Sequence, residues 1–336
     1  MLRFIAKRLF LGIFVLFGVS IMIFVLSRVI PGDPGRLALG PRATQAAVDA
    51  LNKELYMNEP IYKQYAYWMR DVFNGDFGIS LVTKRSVSTD VQQFLPATLE
   101  LMFVSGSFMV VGSLLLGRLA ANYKGTFIDG AVRFMAYAGI AVPAFVVAVL
   151  LLLLFGYIWP VIPVLGRLSS GVVAPASITD FYIIDALLQG QFGVAWDAFL
   201  HLLLPAFALS LGGMAQDARI LRNSLTENMS KEYMTVSKSY GLPKNMLMGK
   251  YLFKPSAASY FTVMGLDFAA MMGNAFLVEK IFNWPGLSRY GINAMLNKDL
   301  NAICAVVLII GLIFLVVNLF VDLIVALFDP RIRLSH

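Results

Sequence analysis

Cys304 is the only cysteine in the chain, so no disulfide framework and no thiolate metal cluster can form within it. Its two histidines, His201 and His336, stand far apart and one ends the sequence; no HExxH pair is present. No GxxxxGK[ST] loop occurs, which leaves the chain without a phosphate cradle for ATP, and no GxSxG elbow marks a hydrolase. Charge is also scarce. Of 336 residues, 14% are charged against 59% hydrophobic and 13% aromatic, too little polar surface to clothe a soluble globule. The composition is that of an integral membrane protein in the lipid bilayer. A net charge of +7 would suit nucleic acid, but most of the excess sits in short loops beside apolar runs, where membrane topology accounts for it, and no nucleic-acid partner is expected.

What is present is a series of long apolar runs. Arg3, Lys7 and Arg8 precede an uncharged stretch from Leu9 to Ser27, long enough to cross a hydrocarbon core of roughly 30 Å. Arg28, Val29, Ile30 and Pro31 offer no small-residue cleavage site, so this stretch reads as a retained first span with its amino end in the cytoplasm. Five further spans are predicted over Leu99–Ala121, Phe134–Ile158, Phe199–Ala215, Tyr260–Val278 and Ala302–Phe328, six in all, which returns the tail with Arg331 and Arg333 to the cytoplasm. The expected fold class is an all-α integral membrane protein with both termini cytoplasmic. Between the first two spans, the charge-balanced stretch from Pro31 to Pro96 fits an external subdomain. It holds two short amphipathic helices over Thr44–Tyr56 and Ile61–Phe73, separated by Pro60, with Tyr65 and Trp68 suited to a membrane interface.

The longest polar interval with helical signals runs from Gln216 to Pro255. Its charge is Arg219, Arg222, Lys231, Lys238, Lys244, Lys250 and Lys254 against Asp217, Glu227 and Glu232, the excess expected of a cytoplasmic loop. Ser224 and Glu227 have capping-box spacing, Gly241 suits the left-handed residue that ends a helix, and Pro243 is tolerated in the first turn of the next. Charge alone fits a solvated linker; the helix, glycine, helix grammar fits a segment that a cytoplasmic partner grips.

Polar residues inside spans are costly and each has a structural and a functional reading. Glu100, at the outer mouth of the second span, reads as hydrated or as a helix cap. Asn318 and Asp322 lie one turn apart on the last span, placed for a polar lock with Arg331 or Arg333. Asp267 is the one acid of the fifth predicted span, on a helix with Ala269, Ala270, Gly273 and Ala275. Small residues serve close packing, and they also leave room for a passage, for which Asp267, Met271 and Asn274 are the candidate lining residues. His201 reads as an interface residue, and the sequon at Asn228 as meaningless in a cytoplasmic loop. A self-sufficient channel or secondary carrier using Asp267 remains the alternative to a transport subunit powered elsewhere, and a membrane enzyme is a third reading.

Six strings in order resemble one family. They are PGDP at 31–34, GDFGIS at 75–80, LPATLEL at 95–101, NWPGLSR at 283–289, VNLFVDL at 317–323 and DPRIR at 329–333. With them goes a loop similar to ExYxxxAxxxGL, carried by Glu232, Tyr233, Ser237, Gly241 and Leu242, with Pro255 before the next span. The sequence resembles the dipeptide, oligopeptide and nickel branch of ABC-transporter permeases over nearly its whole length. Three features depart from the pattern: Ser237 replaces the usual alanine, Met234 replaces an arginine, and LNKDLNAI precedes the last span.

The resemblance implies a type I importer-like fold in a bacterial inner membrane. It implies a first span within 1–30, an external subdomain over 31–96 and a permease core over 97–336 that includes the loop 216–255. Its two short helices would form a coupling helix, with Glu232, Tyr233, Ser237, Lys238, Gly241 and Leu242 as the coupling residues. Implied partners are a second homologous permease, two cytoplasmic ATPase subunits and an extracytoplasmic solute-binding protein. The chain itself would bind no cofactor, with ATP and Mg used by the ATPases. Peptides are the expected cargo.

Overall fold

A computed structural model describes residues 2–29, 36, 39–40, 42–54 and 56–328. Its regular secondary structure is helical, apart from a single bridge between Ile79 and Ser86 among the described residues. In chain order the helices are α1 (Leu2–Val29), α2 (Gln45–Glu54), α3 (Ile61–Phe73), α4 (Val87–Asn122), α5 (Phe127–Ala141) and α6 (Ala144–Leu153). There follow α7 (Tyr182–Leu188), α8 (Phe192–Met229), α9 (Glu232–Ser239), α10 (Lys254–Ile281), α11 (Leu287–Leu296) and α12 (Leu300–Phe328). Five helical stretches are long and apolar enough to cross a membrane, and counting one broken pair as a span gives six.

The broken pair corrects the third predicted span. Phe134–Ile158 is not one helix: α5 and α6 meet at 102° across Val142 and Pro143. Proline has no N–H for the helical ladder and pushes the residue before it out of the helical region, and Val142 is accordingly extended at φ −96°, ψ 118°. α6 then unwinds through a π turn, Leu154–Ile158. By contrast α4 begins at Val87, well ahead of the span predicted from Leu99, and passes through Pro96.

The chain divides into two compact units. The first comprises Met1–Leu9, Pro96–Gly286 and Phe314–His336, and the second Phe10–Leu95 with Leu287–Ile313.

In the second unit, Tyr65 and Trp68 do not lie free for a membrane interface as expected. Both rings pack on Phe24 of α1, at 5.3 and 5.4 Å between centroids, and the Tyr65 hydroxyl meets Ser20 Oγ at 2.7 Å. The GDFGIS string is a latch. Ser80 Oγ donates to Asp299 at 2.5 Å, Asn301 Nδ2 donates to the Ile79 carbonyl at 3.0 Å, and a Cβ on Gly78 would come within 2.8 Å of Asn301. Asp299 also accepts from Ala302 N at the start of α12. The departure LNKDLNAI thus holds the residues that receive the latch.

In the first unit α8 is the central element. Its apolar window is 61% buried, against 11% for α1 and 17% for α12. At 38 residues it is about 57 Å long, so it extends well beyond the hydrocarbon core. Small residues let neighbours approach it: a Cβ on Gly117 of α4 would lie 2.9 Å from the Ala218 carbonyl, and one on Gly139 of α5 would lie 2.9 Å from Ala215 Cβ. From α8 itself, Arg222 holds Asp129 of α5 through two hydrogen bonds of 2.7 and 3.0 Å. A basic residue of the loop predicted to face a partner is therefore an internal tie.

Four polar expectations change. Glu100 is buried, not hydrated: it pairs with Arg167 at 2.5 Å and caps α7 by accepting from Ile183 N at 2.9 Å. His201 is buried at 3% exposure, with Nδ1 on the Asp197 carbonyl at 2.8 Å, and is no interface residue. Asp322 pairs with Arg8 at 3.1 Å, while Arg331 and Arg333, its expected partners, lie outside the described residues. Ser224 is an interior residue of α8 and caps nothing; the helix continues to Met229.

Candidate functional site

The segment after α8 turns sharply. Ser230 ends the helix, and Lys231, extended at ψ 147°, starts α9 within one residue. Gly241 takes φ +67° after α9, as its position in the sequence predicted, and a Cβ there would meet nothing within 4 Å. The backbone turn, not packing, is the reason for glycine at this point.

The second predicted short helix is not a separate arm. Lys244–Met246 leads without a break through a π turn, Leu247–Phe253, into α10. Pro255 explains the π turn: its ring would clash with the carbonyl four residues back, and the wider i to i+5 spacing accommodates it. The loop therefore holds one short helix, α9, followed by a lever continuous with the next span.

α9 has two faces. Met234, 2% exposed, and Ser237, 9% exposed, lie one turn apart and bury against the unit. Ser237 Oγ is satisfied by the Tyr233 carbonyl at 2.7 Å, so a small side chain fits here and a hydroxyl is tolerated in place of alanine. Met234, which stands where the family pattern carries an arginine, is the apolar anchor. Away from this buried pair Glu232, Val236, Lys238 and, just past the helix, Tyr240 are exposed, the last at 81%, and neither charged side chain has an ion-pair partner among the described residues. Leu242 is half-buried after the turn. Val236 and Tyr240 were not among the expected site residues; their i, i+4 spacing on a helix with an alternate buried pair is the signal that reveals them.

Tyr233 belongs partly to the interior. Its hydroxyl donates to Asn228 Oδ1 at 2.9 Å, and burial pushes the phenol above its usual range, with Lys231 acting against this. The group is a hydrogen-bond donor at neutral pH. Asn228, dismissed as a bare sequon, is thus at the centre of the corner.

The passage candidates do not share one environment. Asp267 is half-buried and accepts from Gln216 of α8 at 3.2 Å, while Met271 is buried at 2% and Asn274 is exposed. A Cβ on Gly213 would lie 3.3 Å from Asp267 Cβ. Asp217, one turn beyond Gly213, is fully buried beside Asp267, close enough for the two carboxyls to share a proton. A Cβ on Gly273 would meet nothing within 4 Å and the residue is exposed in this chain, whereas Ala269 and Ala275 are the buried small residues.

Two family models together account for nearly the whole sequence. The model of binding-protein-dependent transport system inner membrane components matches residues 113–334, and that of the N-terminal part of such membrane components matches 1–102. The probable D,D-dipeptide transport system permease protein of Escherichia coli strain K12 is 34% identical over 320 residues, 95% of this chain and 94% of the relative. The dipeptide transport system permease protein of Alkalihalophilus pseudofirmus is 33% identical over 333 residues, 99% and 100%. The glutathione transport system permease protein of Escherichia coli O1:K1 is 29% identical over 333 residues, 99% of each. With its helical spans matched end to end by these models and relatives, the chain belongs to the binding-protein-dependent transport system inner membrane components, and is a multi-pass permease subunit of an ABC importer.

Proposed function

We propose that this chain forms half of the translocation pathway for short peptides and that α9 couples it to a cytoplasmic ATPase. The observation that carries the proposal is the divided character of α9: Met234 and Ser237 root it, while Glu232, Val236, Lys238 and Tyr240 offer an exposed mixed surface at the head of a lever continuous with α10. A rigid helix so mounted passes a push on its outer face to the span beyond Gly241. ATP and Mg are used by two ATPase subunits, a second homologous permease completes the pathway, and an extracytoplasmic binding protein delivers the solute. The peptide assignment follows the relatives, which include permeases for dipeptides and for glutathione, itself a small peptide.

The test is purification of the tagged chain from its native membrane in mild detergent, with co-purifying proteins identified and ATP hydrolysis assayed, beside Gly241→Trp. A bound ATPase and second permease, lost or uncoupled in the variant, support the proposal. A chain that comes alone and passes solute without ATP after reconstitution overturns it in favour of a self-sufficient carrier. Uptake of a labelled dipeptide, unaffected by excess nickel chelate and abolished on deleting the chain, tests the cargo.

A further inference from the structure

The corner between α8 and α9 contains a chain of hydrogen bonds that runs in one direction. The Tyr233 hydroxyl donates to Asn228 Oδ1 at 2.9 Å. Asn228 Nδ2 donates to Ser256 Oγ at 3.0 Å and to the Ser224 carbonyl at 2.9 Å. Ser256 Oγ in turn donates to the Leu252 carbonyl at 2.9 Å, inside the π turn that precedes α10. Three elements meet in one amide: Asn228 is on α8, Tyr233 on α9 and Ser256 on α10. Ser256 is 1% exposed and Asn228 half-buried, so water competes little for the bonds around Ser256, whereas the Tyr233–Asn228 bond at the rim is exposed. Only asparagine or glutamine can accept from the tyrosine and donate twice from the same group; aspartate accepts only, and an apolar side chain does neither. The nearby pair Lys231–Glu227, at 3.1 Å, is exposed on both sides and adds little.

We infer that Asn228 is a positioning residue that clamps α9 to the end of α8 and the start of α10, so that displacement of α9 moves both spans together. This rests on the coupling reading of α9. Without the clamp, α9 would still be anchored by Met234 and would still offer its outer face, but it would pivot at Lys231 and at Gly241. A push on it would then be absorbed at the two turns.

The experiment uses the whole transporter purified from its membrane and reconstituted, comparing wild type with Asn228→Ala, Ser256→Ala, Tyr233→Phe and the double variant Asn228→Ala/Tyr233→Phe. Co-purified ATPase, ATP hydrolysis and solute uptake are measured on each. Asn228→Ala is expected to keep the ATPase bound, to lower the saturated uptake rate per ATP hydrolysed about fivefold, and to leave the half-saturating solute concentration unchanged. The double variant should be no worse than Asn228→Ala alone, because both act through one bond. Ser256→Ala, which removes a single hydroxyl and leaves the backbone intact, should fall in the same direction and keeps the test decisive if Asn228→Ala folds poorly. Unchanged coupling in both Asn228→Ala and Ser256→Ala, or a double variant whose loss is the product of the two single losses, overturns the clamp. If those variants couple normally while wild type carries its ATPase, only the clamp fails. If wild type brings no ATPase at all, the coupling reading fails and the clamp with it.

Discussion

Replacing Arg167 by methionine should loosen the segment between α6 and α8 more than any surface change. Arg167 is 8% exposed and its Nη2 lies 2.5 Å from Glu100 Oε2 and 3.2 Å from the Asp180 carbonyl. The guanidinium also sits 3.4 Å from the centre of the Tyr182 ring and 5.6 Å from that of Trp284. Methionine fills a similar volume and keeps the apolar contacts, so the loss is electrostatic: Glu100 is left buried without its cation, a situation that costs about 3–5 kcal/mol. Loss of the cation–ring contacts adds about 1 kcal/mol. Glu100→Gln leaves Arg167 similarly stranded, whereas Arg167→Met/Glu100→Gln removes both charges and should be better than the sum of the singles by about 2 kcal/mol or more. The assay is thermal or denaturant unfolding of the purified chain in detergent, with limited proteolysis of residues 159–191 as a local reading. Single losses below about 1 kcal/mol, or a double variant equal to the sum, would show that the pair is solvated and would refute the argument.

Three further outcomes are expected. Gly286→Ala should destabilise by about 1–3 kcal/mol, because its Cβ would fall 2.4 Å from the Glu279 carboxylate, which is fully buried and held by Thr98 at 2.6 Å; an unchanged melting temperature would show that Glu279 can move aside. Asp217→Asn should change stability by less than about 1 kcal/mol, since the buried Asp217 and Asp267 carboxyls lie close enough to share a proton and the amide can donate in its place; a markedly lower melting temperature would count against this. The Asp185 carboxyl is buried, which works to raise it, yet the Thr179 hydroxyl and the amides of Thr179, Ile178 and Asp180 hold it below its usual range. Its contribution is therefore complete above the unfolded value near 3.9 and disappears as pH falls through the lower folded value. Proteolysis of the loop before α7 should accelerate in that acid window in wild type, while Asp185→Asn should show the faster rate already at neutral pH and no acid step.

Much of the architecture is legible from local chemistry. Apolar length marks α1, α4, α8, α10 and α12, and the positive-φ glycine at 241 is announced by what surrounds it. The amphipathic helices α2 and α3 follow from periodicity. Where the reading failed, two different causes acted. Pro143 carried the signal for the break between α5 and α6, but hydropathy averages over a proline and hides it. Ser224 and Glu227 matched a cap by spacing alone, and such spacing carries no information on whether the helix has already begun.

The sequence by itself determined the membrane class, the order of spans, the family and the place of the turn at Gly241, because each rests on composition or on contacts within a few residues. Tertiary structure alone decided which polar groups meet: Arg167 with Glu100, Asp217 with Asp267, Asp129 with Arg222, Asn228 with Ser256. It also decided which face of α9 is rooted and which is offered. In a bundle these partners are brought together by helix packing across long sequence separations, and packing depends on the shapes of all the facing side chains at once. No single stretch contains that information.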